Sequence, residues 1–368
     1  MPKLDSLSPV KQVLEKAVGT ICPAAQLIVR WHGDVILALA EGCLDPPECQ
    51  HPTQPDTLFD LASLTKLFTT TTFMTLVEAG NVVLDQPVYT VLPELNEMRP
   101  IQPYEDPLSP GEFVTVYAEG VGRETSPNEI AATSPDRGGE ALFAEGLLTE
   151  ADARRITFRN LLTHNAGLPA WRPLYQQPSA EAARQLALHT FFSYPPGTRV
   201  VYSDIGLILV GLSVERLTGQ SLPAAMQSRV FDPLDLQRTG YLPISISRGR
   251  EHRPGDLVQR RGDDLSVGRR SPDRGRPNIA PTEFCRWRKR RIVSEVHDEN
   301  AWRLGGVAGH AGLFSTAHDV ATLGQLFLDK GTPLLNPKTV AEMTSLQAQD
   351  GNSRRGLGFG LWTSDPEA

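Results

Sequence analysis

The stretch FDLASLTKLFTTTTFMTLVEAG, residues 59–80, has no charged side chain between Lys66 and Glu78. Apolar residues fall on most faces of a helix drawn through this run, which predicts a buried helix. Burying an unpaired ammonium group is strongly unfavourable, and lysine is almost never fully buried without a reason. Lys66 therefore marks a candidate functional site.

Ser63 lies three residues before Lys66. Residues at i and i+3 share one face of a helix and lean toward its N-terminus, so the Lys66 amine is predicted to fold back over Ser63. Burial lowers the pKa of a lysine and makes its neutral form available. A neutral amine beside a hydroxyl is a general base beside a nucleophile, at a helix end whose N–H groups stabilise an oxyanion.

The sequence SPVK, from Ser8 to Lys11, has the same spacing. It opens an amphipathic helix in which Ser8 is a plain N-cap and Pro9 fits the first turn. Lys11 is predicted to lie on the wet face of that helix. Spacing alone therefore does not identify the site, and the predicted burial of Lys66 separates the two matches.

Tyr202 and Asp204 lie at a predicted junction between a loop and a helix. Positions i and i+2 of an extended loop project to one side. A tyrosine near Lys66 acts either as the acid that protonates a leaving group or as the base. The alternative interpretation is a packed tyrosine and an aspartate that caps the helix.

Four blocks of the sequence together resemble the class C β-lactamase and D,D-peptidase-like serine hydrolases, which include penicillin-binding-protein-like esterases. The blocks are SLTK at 63–66, LLTHNAGLP at 161–169, PGTRVVYSDIGLILVGLSVERLTGQSL at 196–222 and GGVAGHAGLFSTAHDVATL at 305–323. The resemblance implies that Ser63 is the nucleophile, Lys66 its partner and Tyr202 a general acid/base. His164, in the second block, is predicted to have a structural role.

Asp204 stands where this family has the asparagine of a Tyr-x-Asn element, and the resemblance implies that it binds substrate. An ionised aspartate accepts hydrogen bonds but cannot donate them. It is also able to pair with Lys66, hold it charged and raise its pKa. The substitution favours the esterase and peptidase branches over β-lactam hydrolysis.

The family's third element is Lys-Thr-Gly or His-x-Gly on a strand near the C-terminus. GHAG at 309–312 matches the His-x-Gly pattern of this element. However, the overlapping segment AGLFSTAHDV resembles a family block that precedes the third element. His310 is therefore expected to be a loop residue near the site. We expect the chain to be a truncated member, since no later His-x-Gly follows.

The fold class is predicted as α/β (α+β): a β-lactamase/transpeptidase-like, mainly antiparallel sheet flanked by helices, plus a largely helical subdomain. One domain is predicted over residues 1–368. Its α/β half comprises 1–63 and about 300–368, and its helical half about 64–299. Irregular insertions are predicted at 99–142 and 247–276, where Pro, Gly, Ser, Thr or Arg dominate.

The net charge of −7 is unevenly spread, because 14 Lys or Arg and only 6 Asp or Glu fall between Ser247 and Arg291. Such a stretch is a candidate for nucleic-acid binding. Its interleaved acids and the acidic total favour a solvated loop, so no nucleic-acid partner is expected.

No apolar run approaches the roughly 18 residues that span a bilayer, and the N-terminus lacks the apolar core of a secretory signal. A cytoplasmic location is therefore expected. The four cysteines form no CxxC pair, and reduced thiols are predicted. No metal or organic cofactor is expected.

The predicted function is a serine hydrolase that forms an acyl-enzyme on a small ester or amide: an esterase, β-lactamase or D,D-peptidase-like enzyme. One alternative is a catalytically impaired relative with a binding role, favoured by Asp204 and the missing third element. A second is a nucleic-acid-associated protein that uses residues 247–291.

Overall fold

The computed structural model describes residues 7–46, 48–106, 109, 111–117, 120–122, 150–242 and 278–362. The predicted insertion at 247–276 lies outside these ranges, as does the predicted insertion at 99–142 beyond residue 122. The described chain combines helices with small antiparallel sheets, as predicted.

The helices are, in chain order, α1 (Ser8–Ala17), α2 (Thr65–Glu78), α3 (Phe158–Leu162), α4 (Ala180–Leu188), α5 (Asp204–Thr218), α6 (Leu222–Met226), α7 (Glu299–Arg303), α8 (Ala317–Leu328) and α9 (Pro337–Thr344). The strands are β1 (Ala24–Trp31), β2 (Asp34–Gly42), β3 (Phe59–Asp60), β4 (Met98–Pro100), β5 (Tyr104–Glu105), β6 (Phe113–Tyr117), β7 (Gly120–Gly122), β8 (Glu150–Asp152), β9 (Gly240–Tyr241), β10 (Phe284–Cys285), β11 (Arg290–Arg291), β12 (Leu313–Ser315), β13 (Ala348–Asp350) and β14 (Ser353–Arg355).

The chain forms two compact units. The first unit comprises residues 1–65 and 221–337, and the second comprises residues 66–220 and 338–368. The first boundary follows Thr65, close to the predicted division at residue 63. The other two boundaries follow Gln220 and Pro337 rather than residue 299, so the last helix and hairpin join the helical unit.

The first unit contains an N-terminal hairpin. Strands β1 and β2 pair antiparallel from Ala24 opposite Gly42 to Trp31 opposite Asp34. A separate three-stranded sheet has the order β3-β12-β9. Strand β12 lies in the LFST segment at 313–316, and α8 begins at the next residue, Ala317.

The hairpin keeps part of its surface in solvent. Trp31 is 51% exposed and Val35 is 44% exposed. The hairpin forms a two-stranded sheet with no third strand among the described residues. Two strands alone are marginally stable, so helix packing must support them, and Arg30 of β1 donates a hydrogen bond to Thr322 of α8 at 2.8 Å.

The described part of the basic stretch forms the short hairpin of β10 and β11. Arg288 in its turn donates a hydrogen bond to the Val296 carbonyl at 2.9 Å and lies over the rings of Trp287 and Trp302. The guanidinium group of Arg288 therefore makes its hydrogen bond and ring contacts within the first unit. The rest of the stretch, residues 247–277, lies outside the described ranges.

The second unit contains the uncharged helix that the sequence predicted to be buried. Thr69, Thr70, Thr71 and Thr72 are all fully buried in α2, as are Phe73, Met74 and Leu76. Thr71 and Thr72 donate their hydroxyl hydrogens to the carbonyls of Leu67 and Phe68, at 2.8 and 2.9 Å. These hydrogen bonds satisfy buried hydroxyls and let packing override the poor helix propensity of threonine.

Helix α5 begins where the sequence predicted, but its cap is different. Ser203 is the N-cap residue, and its side chain accepts a hydrogen bond from the Gly206 N–H at 3.2 Å. Asp204 is the first residue of the helix rather than the cap. The cap assigned to Ser8 is also wrong, since Leu7 is the N-cap residue of α1 and makes no side-chain cap bond.

The first part of the predicted irregular insertion at 99–142 is regular. Strand β4 pairs with β8, and β5, β6 and β7 form a small antiparallel sheet. Arg99 anchors this region, because its buried guanidinium donates to the carbonyls of Thr190 and Leu188, at 2.9 and 2.7 Å. Such long-range contacts leave no local periodic signal in the sequence.

Two cysteines contradict the prediction of reduced thiols. Cys43 and Cys49 form a disulfide that closes a loop after β2, whereas Cys22 and Cys285 are free. Neither spacing nor a CxxC motif indicated the bond; the fold brings the two Cα atoms to 5.3 Å. Disulfides persist mainly in oxidising compartments, so a test of this bond is also a test of the predicted cytoplasmic location, which stays a prediction.

Thiol titration tests the disulfide. We expect the denatured, non-reduced protein to react with two equivalents of a thiol reagent and the reduced protein with four, since the chain has four cysteines. The Cys43→Ser variant should expose Cys49 as a third thiol without reduction. Four reactive thiols in protein that was never reduced would contradict the bond and support a reducing compartment.

No helix among the described residues has both the length and the hydropathy needed to cross a bilayer.

Candidate active site

Ser63 is exposed, in the turn that leads into α2. A 3-10 turn over Ala62–Leu64 follows strand β3, and α2 begins at the next residue, Thr65. Ser63 therefore lies at the N-terminal end of continuous helical backbone, where the helix dipole favours negative charge. Its exposure is compatible with the role of a nucleophile.

Asp60 holds this turn. Ala62 has φ of 46°, a left-handed conformation that is unfavourable for a residue with a Cβ. The Asp60 carboxylate accepts hydrogen bonds from the Ala62 N–H at 2.9 Å and from the His297 N–H at 2.7 Å. Burial raises the pKa of Asp60, and these two hydrogen bonds only partly offset the effect. The carboxylate thus stabilises a strained backbone one residue before Ser63.

Strand pairing fixes the same turn from the other side. Asp60 pairs with Phe314 of β12, and the Leu61 N–H donates to the Leu313 carbonyl at 2.9 Å. The Leu313 N–H donates to Thr65 Oγ1 at 3.2 Å. The first unit therefore positions Ser63 through β3, β12 and the Asp60 carboxylate.

Lys66 is buried, as predicted, with 5% of the residue exposed. Its Nζ lies 2.7 Å from Asp204 Oδ1 and 4.8 Å from the centre of the Tyr202 ring. The second unit therefore brings together three of the four predicted site residues. Ser63 precedes Lys66 by three residues along the same run of helical backbone, at the end of the first unit.

The charge state of Lys66 differs from the first prediction. Burial by itself lowers the pKa of Lys66, but the negative charge of Asp204, the neighbouring Tyr202 and their hydrogen bonds raise it, and the net pKa is raised. The expectation that burial makes the amine neutral is therefore wrong. The alternative, in which Asp204 keeps Lys66 charged, is confirmed in direction.

Tyr202 is flanked by three groups. It is 41% exposed. Its ring centre lies 4.6 Å from the His164 ring centre, 4.8 Å from Lys66 Nζ and 5.4 Å from Arg355 Cζ. Cations within about 6 Å of an aromatic centre are attracted to the ring. The ring is thus fixed in place while part of it stays open to solvent.

His164 has the structural role predicted for it, and it positions the Tyr202 loop. It is buried, and its Nδ1 accepts the Ser203 N–H at 3.0 Å. Burial lowers the pKa of His164 to about 3, with smaller contributions from the charges of Arg355 and Lys66. The imidazole is therefore neutral at physiological pH, and Nδ1 stays available as the acceptor.

Acid is expected to destabilise the protein through His164. Below the unfolded pKa of about 6.5, the unfolded chain binds a proton that the folded state excludes until about pH 3. The free energy of unfolding should therefore fall by up to about 1.4 kcal/mol per pH unit from this group alone. Urea unfolding between pH 7 and pH 4 measures the slope.

His164→Asn keeps a hydrogen-bond acceptor and suits the positive φ of this position. It should flatten the slope, whereas the exposed His318→Asn should leave it unchanged. Equal slopes in wild type and His164→Asn would contradict the assignment.

His310 is fully buried in the first unit. Its Nε2 lies 3.0 Å from Asp298 Oδ1, and the same oxygen accepts the Ala301 N–H and caps α7. His310 is a loop residue, as predicted, and supports the start of α7. Neither unit, taken alone over the described residues, clusters three histidine, cysteine or carboxylate side chains at metal-binding distance.

Two residues of the site were missed by sequence reasoning. Asp60 lies in the FDLAS stretch, three residues before Ser63, and that spacing was its only signal. Arg355 directly precedes the glycine-rich run GLGFGL at 356–361. Arg355 reaches Tyr202 across 153 positions of sequence, so no local pattern indicates the contact.

Comparison with known proteins shows the family to which the chain belongs. The model of the Beta-lactamase family matches residues 10–368. The chain belongs to the Beta-lactamase family, as the four sequence blocks indicated, and the family and its named relatives indicate a hydrolase of the peptidase, amidase or esterase type.

Three similar proteins illustrate the range of the family. An N-acetylmuramyl-L-alanine amidase of Bacillus subtilis (strain 168) is 28% identical, over 98% of this chain and 74% of its own length. A protein of Salmonella agona (strain SL483), provisionally described as a D-alanyl-D-alanine carboxypeptidase, is 30% identical over 56% of this chain and 46% of its own length. The structure of a penicillin-binding protein homologue from Pyrococcus abyssi is 17% identical with a TM-score of 0.60, over 98% of this chain and 64% of that one.

The structural likeness supports the predicted fold class, a β-lactamase/transpeptidase-like arrangement. The chain spans less than half the length of the carboxypeptidase relative. The substrates named for these relatives therefore do not establish the substrate of this chain.

Proposed function

We propose that the protein is a serine hydrolase that forms an acyl-enzyme at Ser63 on a small ester or amide. One observation carries the proposal: a buried lysine, paired with Asp204 and in contact with Tyr202, lies three residues after an exposed serine at the start of a helix. A buried ammonium group with these neighbours is more typical of a reaction centre than of a core.

The proposed chemistry begins with attack of Ser63 Oγ on the substrate carbonyl. Because the pKa of Lys66 is raised, Lys66 is charged at rest and does not take the serine proton directly. Tyr202 is the proposed base, the second of the roles that the sequence left open for it. Tyr202 acts as the phenolate, stabilised by the Lys66 ammonium, and becomes the neutral phenol when it takes the serine proton.

The acyl-enzyme then forms as the carbonyl bond to the leaving group breaks, and Tyr202 returns its proton to the leaving alcohol or amine. Water attacks the ester of Ser63 in the second half of the cycle; Tyr202 takes a proton from the water and returns it to Ser63 Oγ as the bond to the acyl group breaks. The positive end of the α2 dipole is proposed to stabilise the oxyanion. Every step uses groups of this chain and substrate, so no cofactor is proposed.

The names of the relatives support acyl-transfer chemistry, but they do not identify the substrate of this chain. An amidase and a carboxypeptidase both cleave bonds to a carbonyl carbon, and esterase activity requires the same intermediate. A small-molecule ester or amide is therefore the proposed partner, with no nucleic acid or membrane. The cytoplasmic location stays a prediction that the thiol titration tests.

Mass spectrometry with a fluorophosphonate probe tests the proposal. The folded protein should gain one adduct, and peptide mapping should place it on Ser63, in the tryptic peptide that ends at Lys66. An adduct on another serine would overturn the assignment of the nucleophile.

A catalytically impaired binding protein is the second candidate, and Asp204 favours it. An ionised aspartate in place of the family's asparagine cannot donate a hydrogen bond to a substrate carbonyl, and it keeps Lys66 charged. Folded protein that fails to react with both fluorophosphonate and labelled penicillin would support this candidate over the hydrolase.

A further inference from the structure

We propose that His310 is a positioning residue for Ser63, through a hydrogen bond to Asp298 that helps to hold the turn before the serine. The role of Ser63 as the nucleophile rests on the proposed function. The way in which the turn is held is argued from the first unit alone, which comprises residues 1–65 and 221–337.

Strand β12 contacts the chain on both sides of Ser63. The Leu61 N–H donates to the Leu313 carbonyl at 2.9 Å, and the Leu313 N–H donates to Thr65 Oγ1 at 3.2 Å. Leu61 and Thr65 lie two residues before and two residues after Ser63. A shift of the backbone at Leu313, three residues after His310, would therefore move the serine from both sides.

The loop that contains His310 has little freedom before β12. A Cβ at Gly312, where φ is 116°, would lie 2.6 Å from the Gly306 carbonyl oxygen and 3.2 Å from the Tyr241 ring. The Tyr241 hydroxyl donates to the Ala308 carbonyl at 2.8 Å. Because the loop is packed closely on both sides of His310, a movement of this side chain is transmitted to β12.

His310 links this loop to the start of α7. It is fully buried, and its Nε2 lies 3.0 Å from Asp298 Oδ1. Because a carboxylate accepts hydrogen bonds, Nε2 is the donor. The same oxygen accepts the Ala301 N–H at 2.7 Å, so the helix holds Asp298 in place. Hydrogen bonds to a charged group are stronger than those between neutral groups, which makes this link an effective anchor for the loop.

The residue before Asp298 returns to the serine turn. The His297 N–H donates to the Asp60 carboxylate at 2.7 Å, and the same carboxylate accepts the Ala62 N–H at 2.9 Å. Burial is the main cause that raises the pKa of Asp60, and the charge of Asp298 contributes in the same direction. The two carboxylates are therefore close enough to interact.

These contacts form a closed path around the turn. It runs from Asp60 to the start of α7, across the His310 hydrogen bond to the GHAG loop, and along β12 back to both sides of Ser63. Ala62 has φ of 46°, a strained conformation that persists only while its surroundings hold it. Loss of the His310 link should let the turn relax and move Ser63 Oγ away from the orientation for attack.

Two amide variants that differ in length test the hydrogen bond. His310→Gln is long enough to place an N–H near the position of Nε2, whereas His310→Asn ends near the position of Nδ1 and falls short of Asp298. The readout is the second-order rate constant for labelling of Ser63 by a fluorophosphonate. His310→Asn should label about 10- to 100-fold more slowly than wild type, the effect of a small displacement of a reacting group, and His310→Gln should recover most of the rate. With 4-nitrophenyl acetate, kcat should fall by a similar factor while KM changes little.

Asp298→Ser breaks the same contact from the other side. Serine is a good N-cap that still accepts the Ala301 N–H, but it is too short to reach His310, so this variant should label as slowly as His310→Asn. Trp302→Phe is the matched control. It removes the hydrogen bond from Trp302 Nε1 to Glu295 at 2.9 Å and weakens α7 elsewhere. It should lower the midpoint of thermal unfolding and keep the wild-type labelling rate.

Hydrogen exchange separates this proposal from the hydrolase proposal. Amide exchange in peptides that cover residues 59–66 should be faster in His310→Asn than in wild type, His310→Gln or Trp302→Phe, and this readout needs no reaction. If exchange responds in this way but the folded wild type neither labels at Ser63 nor cleaves the ester, only the proposed function fails.

The positioning role is overturned, with the hydrolase intact, if His310→Asn and Asp298→Ser label at the wild-type rate. Equal labelling of the two amide variants, an equal loss in Trp302→Phe, or exchange that does not respond to His310→Asn would overturn it as well.

Discussion

Ser63→Ala is expected to reduce ester hydrolysis by about 10³- to 10⁶-fold, the range seen when the nucleophile of a serine hydrolase is removed. The alanine cannot form the acyl bond, whereas the turn is held by Asp60 and by β12 rather than by the serine hydroxyl. The measurement is kcat/KM for 4-nitrophenyl acetate, with thermal unfolding as the check on folding.

Ser8→Ala is the internal control for this prediction. Ser8 and Lys11 have the same spacing as Ser63 and Lys66, but Lys11 is about half exposed and pairs with Glu15 at 3.6 Å. The Ser8→Ala protein should keep wild-type activity. Activity that survives Ser63→Ala would show that another group is the nucleophile.

Lys66→Met is expected to reduce kcat/KM by about 10²- to 10⁴-fold, the range for loss of a positioned proton-transfer group. Methionine fills a similar volume but supplies no charge beside Tyr202. The same assay measures the effect, and Lys11→Met on the exposed face of α1 should have none. A Lys66→Met protein with wild-type kcat/KM would exclude Lys66 from the reaction.

The double variant Lys66→Met/Asp204→Asn separates the effect on kcat/KM from the effect on the free energy of unfolding. Removing Lys66 leaves Asp204 without its partner at 2.7 Å, and breaking a buried pair is destabilising. Because Asp204 is 20% exposed and can be hydrated, we expect a loss of about 1–3 kcal/mol in the free energy of unfolding. Adding Asp204→Asn should recover part of this stability, while kcat/KM should stay low.

Local signals in the sequence predicted much of the fold. The uncharged run after Ser63 forms a buried helix, and the amphipathic segment that begins at Ser8 forms α1. Helix α5 begins at Asp204, within the predicted junction of loop and helix at 202–204. These elements are set by periodicity and by cap or turn residues within about 20 positions, which the sequence displays directly.

Contacts between distant segments were not predictable in this way. The disulfide between Cys43 and Cys49, the strands within 99–122 and the contact of Arg355 with Tyr202 depend on chain paths that no short pattern encodes. The catalytic roles assigned to Ser63, Lys66 and Tyr202 stay predictions.

The sequence by itself determined that a lysine lies in an apolar helix one turn after a serine, because helix periodicity is a local property. Only the tertiary structure decided the charge of that lysine, since its pKa depends on which side chain lies beside it. Asp204 is 138 positions away in the chain and 2.7 Å away in space, and its negative charge, together with Tyr202 and the hydrogen bonds of both side chains, outweighs the effect of burial on the pKa of Lys66.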